Sequence, residues 1–207
     1  MANEKQSSEM KEFIMKTARE LIWEKGYAKT SMRDIARACS FEPSNTYNYF
    51  SGKEQLLYEL LEEETGMMIS LLKGLENDGK SSPIDQLHYI IRQHVDLTLG
   101  GRMVSGLMFD VELRNLSADH VKKIITLRNK FEGILHKVIR RGIDEGYFVE
   151  TNERLVSFMI ISMVVRCRVW YSPKGEKSPE EIADFITRFT LNSLLKDGKR
   201  KRDLNNR

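Results

Sequence analysis

From Pro43 to Phe50 the chain reads PSNTYNYF. Ser44, Asn45, Thr46, Tyr47 and Asn48 are short or planar polar side chains, able to hydrogen-bond base edges and phosphate oxygens. Pro43 suits the first position of a helix, where its fixed φ and missing N–H do no harm. The first residues of that helix are the ones that would enter a major groove. Arg33 on one side and Lys53 on the other add cations, and a lysine at a helix start favours a phosphate oxygen.

Such side chains read a surface only if other elements hold them. Met32, Ile35, Ala36 and Cys39 fall at i, i+3, i+4 and i+7, which predicts a short helix with one apolar stripe. Thr30 or Ser31 opens it, with Asp34 placed three residues after Ser31 as in a capping box. Ser40 to Glu42 is the turn, and the second helix runs from Pro43 to Phe50, where Phe50 closes a small core. Ser51 caps a further helix with Glu54 at its third position. Upstream, 8–25 is a helix burying Ile14, Ala18, Leu21 and Ile22, and Gly26 is its left-handed cap. The unit is a three-helix helix-turn-helix over 1–50.

Gly26-Tyr27, Thr30 to Ala36, Tyr47, Tyr49-Phe50, Lys53 and Leu56-Leu57 stand at the spacings of the TetR-type regulators, and the first quarter of the chain resembles them. The resemblance implies that Arg33, Asn45, Tyr47, Asn48 and Lys53 contact DNA, in a candidate set completed by Thr30, Ser31, Pro43 and Ser44. It implies core positions for Ile35, Ala36 and Phe50. Three residues depart from the pattern: Ser40 replaces a turn glycine, Glu42 a small hydroxyl, and Thr46 a leucine. A serine at a position that needs φ > 0 adds strain, and Glu42 puts an anion near the expected phosphate path.

The remainder reads as helix after helix, so the fold class is all-α: the helix-turn-helix domain, then a larger helical body over 51–195. An apolar series from Leu57 to Leu75 predicts a connecting rod over 51–75, about 36 Å long, in which Gly66 either admits a close neighbour or marks a bend. Ser82 and Pro83 open a helix to Leu99, and Gly100-Gly101 break it. A shorter helix follows over 102–114, then one capped by Ser117 that reaches Arg141 or beyond. Thr151 or Asn152 caps the next, Leu155 to Trp170. Ser178, Pro179 and Glu181 open the last, to Leu195. In TetR-type regulators the last two long helices pair about a two-fold axis. The interface set here is Val156, Met159, Ile160, Ile182, Phe185 and Phe189, more apolar surface than one small domain needs. A homodimer would place two recognition helices about 34 Å apart on a palindromic operator in double-stranded DNA.

Asp110 to Ser117, and Trp170-Tyr171 followed by Pro173 and Gly175, resemble the branch of these regulators that controls fatty-acid and sterol-ring degradation by sensing acyl-CoA thioesters. That resemblance implies a small hydrophobic effector. Met103, Leu107, Met108, Phe109 and Met163 would line an acyl channel, and Arg102, Arg114, Arg166 and Arg168 would meet phosphates, with Trp170 beside them. The expected mechanism is repression relieved when an effector between rod and body tilts the rod. A hydrophobic drug-like effector controlling an efflux or xenobiotic-response gene is the alternative within the same architecture. Methionines at helical spacing are also ordinary core filler.

Other classes find little support. His88 and His94 are six residues apart, off the i, i+4 spacing of a helical metal pair, and no phosphate loop or nucleophile elbow occurs, so neither enzyme, cofactor nor metal is expected. A helical adaptor would not require Tyr47 and Lys53 at phosphate-contacting positions. Cys39 and Cys167 lie in apolar patterns and read as core residues. The net charge is only +3, and 196–207 alone holds six cations against two acids, a solvated basic tail. No apolar run reaches the roughly 18 residues of a membrane span and no signal peptide opens the chain, which predicts a soluble cytoplasmic protein with no membrane partner.

Overall fold

The computed structural model describes residues 2–75, 78–100 and 113–196. Among them are eight α-helices: α1 Ala2–Lys25, α2 Met32–Ala38, α3 Pro43–Tyr47, α4 Lys53–Leu71, α5 Pro83–Leu99, α6 Ala118–Asp144, α7 Glu153–Cys167 and α8 Pro179–Leu194. The only extended pairing among the described residues is an isolated bridge between Phe148 and Leu195. Two compact units emerge, one drawn from Met1–Glu64 and Gly101–Ile125, the other from Thr65–Gly100 and Thr126–Arg207. The expected 102–114 helix up to residue 112, with Arg102, Met103, Leu107, Met108 and Phe109, and the tail beyond Lys196 lie outside the described residues.

In the first unit α2 packs between α1 and α3. Its core is Ile14, Ala18, Ile35, Ala36, Phe50, Leu56 and Leu57, all almost fully excluded from solvent. Gly26 ends α1 at φ 82°, and the Gly26 N–H returns to the Ile22 carbonyl, the left-handed cap that the sequence implies. Ser31 and Asp34 close a reciprocal capping box on α2. Ser40 turns the chain at φ 58°, the one non-glycine residue with positive φ among those described. Its Cβ is therefore strained where glycine would relax. Lys11 to Glu59 at 2.6 Å and Arg19 to Glu63 at 2.9 Å clip α1 to α4.

Three sequence expectations change here. The second helix of the motif ends at Tyr47 and not Phe50, because Asn48 to Phe50 continue as hydrogen-bonded turns. α4 begins at Lys53: Ser51 is exposed, and the Gly52 carbonyl takes the first helical hydrogen bond, from Leu56. α4 also stops at Leu71, giving 19 residues and a length of about 28 Å. Gly66 lies inside it unbroken, and no described atom comes within 4 Å of where its Cβ would be. A close neighbour among the described residues is thus not the reason for this glycine.

In the second unit α5 is buried on most of its circumference and packs against α8 and α7. Ser82 caps it through the Asp85 N–H. The loop before it is held from both sides. The Arg141 guanidinium donates to the carbonyls of Asp78 and Ser81 at 2.7 and 2.6 Å, and the Gln86 amide donates to those of Leu75 and Asp78. α6 runs through Gly142 to Asp144, and the Phe148 ring packs where a Gly142 Cβ would sit, 2.1 Å from Cδ2. Asn152 caps α7, and Ser178 with Glu181 forms a second capping box at α8. α7 ends at Cys167, three residues short of expectation, and its last turns loosen into 168–170. Cys39 and Cys167 are both buried and unbridged, and burial pushes both thiols up. No helix among the described residues is long and apolar enough to cross a membrane.

Candidate nucleic-acid interface and effector groove

Pro43 starts α3 and Thr46 anchors it. The Thr46 side chain is fully buried, and its hydroxyl is satisfied by donating to the Pro43 carbonyl at 2.8 Å, which is how a threonine serves at this position. With Thr46 facing inward, Pro43, Ser44, Asn45, Tyr47 and Asn48 are left exposed on the outer side of one short helix. Tyr47 is 52% exposed. Beside it lies a shallow concavity of 350 Å³ lined by Ala28 to Arg33, Tyr47 and Lys53. It gathers Ser31, Arg33, Tyr47 and Lys53 from three separate elements. It also brings in Lys29, a cation that sequence spacing did not single out, because it precedes the capped helix in an irregular turn.

Thr30 is the exception in the expected contact set. Its side chain is 1% exposed and its hydroxyl donates to the carbonyls of Gly26 and Leu21, so it closes the end of α1 and does not face outward. Lys53 is half-buried, with Nζ 3.9 Å from the Tyr27 ring centroid and bonded to the Tyr27 carbonyl. Burial lowers its pKa, partly offset by the Asp34 carboxylate. An ammonium has three donors, so this tether orients Lys53 and leaves N–H groups for a further acceptor. Asp34 itself is held below the usual carboxylate range by hydrogen bonds from Ser31.

In the other unit a groove of 870 Å³ lies along α5, α7 and α8. It joins Met163, Arg166 and Trp170 of the expected effector set to His88, Arg92, Lys177, Phe185 and Arg188. Arg114 is exposed, belongs to the first unit and does not line it, nor does Arg168. The groove's charges differ in availability. Arg92 pairs with Glu180 at 2.7 Å, Lys177 with Glu181 at 2.9 Å, and His88 with Asp184 at 3.1 Å. Arg166 and Arg188 are exposed and have no carboxylate partner among the described residues. Two free guanidiniums beside exposed Trp170 and Phe185 suit an anionic ligand with an aromatic or apolar part.

Adjoining it, a second depression of 490 Å³ is lined by Leu155, Phe158, Met159, Met163, Phe189 and neighbours on α7 and α8. Leu155, Phe158, Met159, Phe185 and Phe189 are all 49–68% exposed, a contiguous apolar face. Of the expected interface residues, Met159, Phe185 and Phe189 belong to it and Val156 lies at its edge. Ile160 borders the depression from beneath, but at 1% exposure it packs, like Ile182 at 6%, into the unit's own core. Both helices are apolar on two sides, so period alone could not tell the inner from the outer face. Leu155 and Phe158, outside the expected set, belong to the outer one. Among the described residues no group of histidine, cysteine and carboxylate side chains is arranged to hold a metal.

Comparison with known proteins matches 14–60 to the description "Bacterial regulatory proteins, tetR family". Residues 80–194, more than half the chain, match "Tetracyclin repressor-like, C-terminal domain". The chain is 27% identical over 154 residues to the fatty acid metabolism regulator protein of Bacillus subtilis, covering 73% of this chain and 77% of that one. It is 21% identical over 187 residues to the HTH-type transcriptional repressor KstR2 of Mycobacterium tuberculosis, covering 89% and 92%. A crystal structure of AibR in complex with isovaleryl coenzyme A and operator DNA superimposes with a TM-score of 0.77 at 23% identity, over 86% of this chain and 96% of that one.

Proposed function

Because the chain belongs to the TetR family of bacterial regulatory proteins, which are DNA-binding transcriptional regulators and not enzymes, we propose that it is a homodimeric cytoplasmic repressor released from a palindromic operator by an acyl-CoA thioester. Ser31, Arg33, Pro43, Ser44, Asn45, Tyr47, Asn48 and Lys53 are the DNA-contacting residues in this reading, with Lys29 added and Thr30 removed. The exposed apolar face of α7 and α8 is where two copies pair. Two recognition helices then meet successive major grooves about 34 Å apart.

The observation that carries the effector class is the pair of guanidiniums, Arg166 and Arg188, that have no carboxylate partner among the described residues and lie beside Trp170 in the groove. A neutral drug-like ligand leaves their charge uncompensated, whereas the phosphates and adenine of a coenzyme A group use both charge and ring. Among relatives, AibR was crystallised with an acyl-CoA and its operator, and the Bacillus subtilis protein is named for fatty acid metabolism. Met163 lines both the groove and the apolar face, so occupancy of one touches the other.

The test is operator release. A duplex bound by the protein is titrated with short-, medium- and long-chain and cyclic acyl-CoA thioesters, the free acids and CoA. One thioester, but not its acid or CoA, is expected to weaken DNA binding by about 1–3 kcal/mol of coupling. Arg166→Ala is expected to lower affinity for that thioester without changing operator affinity in its absence. A hydrophobic drug that releases the duplex while every thioester fails would replace the acyl-CoA reading with the xenobiotic one.

A further inference from the structure

The start of α6 is tied to the first turn of α4 by a cluster that the DNA-reading face does not itself contain. Glu54 Oε1 accepts the Ser117 backbone N–H at 2.8 Å and contacts His120 Nδ1 at 2.8 Å. A carboxylate only accepts, so Nδ1 carries the proton. The His120 ring is stacked on Tyr58 with centroids 3.8 Å apart and planes 10° from parallel, and Lys123 Nζ lies 5.4 Å from the centroid of the Tyr58 ring. Ser117 caps α6 through the His120 N–H, so the Glu54 carboxylate sits at the positive end of a 27-residue helix. Burial alone raises a carboxyl, yet the hydrogen bonds from Ser117 and His120 outweigh it and hold Glu54 below its ordinary range.

Glu54 follows directly on Lys53. Within one helical turn the Cα–Cβ directions of the two are fixed relative to each other, so holding Glu54 sets the side from which Lys53 leaves the helix, and its tether to the Tyr27 carbonyl then places the ammonium. Lys53 lies in the concavity with Arg33 and Tyr47. We propose that the Glu54–His120 contact is a latch by which α6 holds the start of α4 in the phase that presents Lys53 to a DNA phosphate, so that shifting the start of α6 lowers operator affinity. This rests on the DNA-binding reading above. His120 and Glu54 act as positioning residues, touching no DNA themselves.

Two substitutions separate the hydrogen bond from the packing. His120→Phe keeps a ring on Tyr58 and loses the donor, whereas His120→Asn keeps a donor near the Nδ1 position and loses the ring. With a duplex selected from random sequence by the wild-type protein, His120→Phe is expected to bind roughly tenfold more weakly or worse, the loss of a hydrogen bond to a charged group. His120→Asn should stay within about threefold of wild type. Glu54→Ala, which also loses the Ser117 N–H bond, should weaken binding at least as much as His120→Phe, and the double variant should be no weaker than Glu54→Ala, with the melting temperature of His120→Asn and His120→Phe alike. Wild-type affinity in His120→Phe, while Tyr47→Ala loses binding, overturns the latch and leaves the DNA-binding reading standing. Equal weakening by Phe and Asn also overturns it, since packing and not the donor would then matter. If selection enriches no sequence, the DNA-binding reading falls and the latch with it.

Discussion

His94 lies on α5, fully withdrawn from water, with its ring edge-on to Phe131 at 5.5 Å between centroids. Burial disfavours the imidazolium and lowers its pKa from 6.5 to about 4. Between those values the unfolded chain takes up a proton that the folded chain refuses. The stability that His94 permits is complete above pH 6.5, falls as pH drops toward 4, and levels off below; the span amounts to about 3 kcal/mol. Denaturant titrations from pH 7 to 4.5 should show this slope, and His94→Leu should flatten it. An unchanged slope in His94→Leu would assign the acid sensitivity elsewhere. Asp78 occupies a separate window: its side chain, hydrogen-bonded by Ser81 and the Lys80 N–H, is lowered to about 2, so its contribution is present above pH 3.8 and lost as pH falls through 2. None of this is legible in the sequence, where His94 is one polar residue in an apolar pattern. Thr30 shows the same limit, since a threonine beside a cap looks equally suited to a carbonyl behind it or a phosphate in front.

Helix starts were the most legible elements, because their chemistry is local. Ser31 with Asp34, Ser82 with Asp85, Asn152, and Ser178 with Glu181 all cap where the residues imply. Helix ends were less so: α3, α4 and α7 all stop short, since apolar residues beyond the last turn keep the helical period while packing from a turn. Gly142 is a different case, a glycine inside a helix whose reason is a ring six residues later. Gly142→Ala would drive a methyl into Phe148, and overpacking of this kind costs about 1–3 kcal/mol. The expected outcome is a lowered melting temperature that Gly142→Ala combined with Phe148→Leu partly restores. A variant as stable as wild type would show that the Phe148 ring can move aside without loss.

At the level of the whole molecule, the TetR architecture followed from the first fifty-seven residues, whereas the groove did not. Arg188 and Lys177 reach Arg92 and Trp170 only through the packing of α5 with α8, which no short motif encodes. Self-association has its own test. Phe189 is 59% exposed on α8, so Phe189→Glu leaves the unit's core intact while placing a charge on the apolar face. Sedimentation should find a monomer with native helicity, and operator affinity should fall because a single half-site remains. A dimer undiminished by that charge would move the interface away from α7 and α8. α5, finally, has more consequence than its two groove residues, His88 and Arg92, suggest. Eleven of its seventeen residues are buried, and α7 and α8 both lean on it, so its amides can meet solvent only when the unit around them opens. They should be the slowest in the chain to exchange with deuterium, at a rate reporting global unfolding, while the five-residue α3 exchanges through local fraying. The surface proposed to read sequence would then be among the softest parts of the molecule.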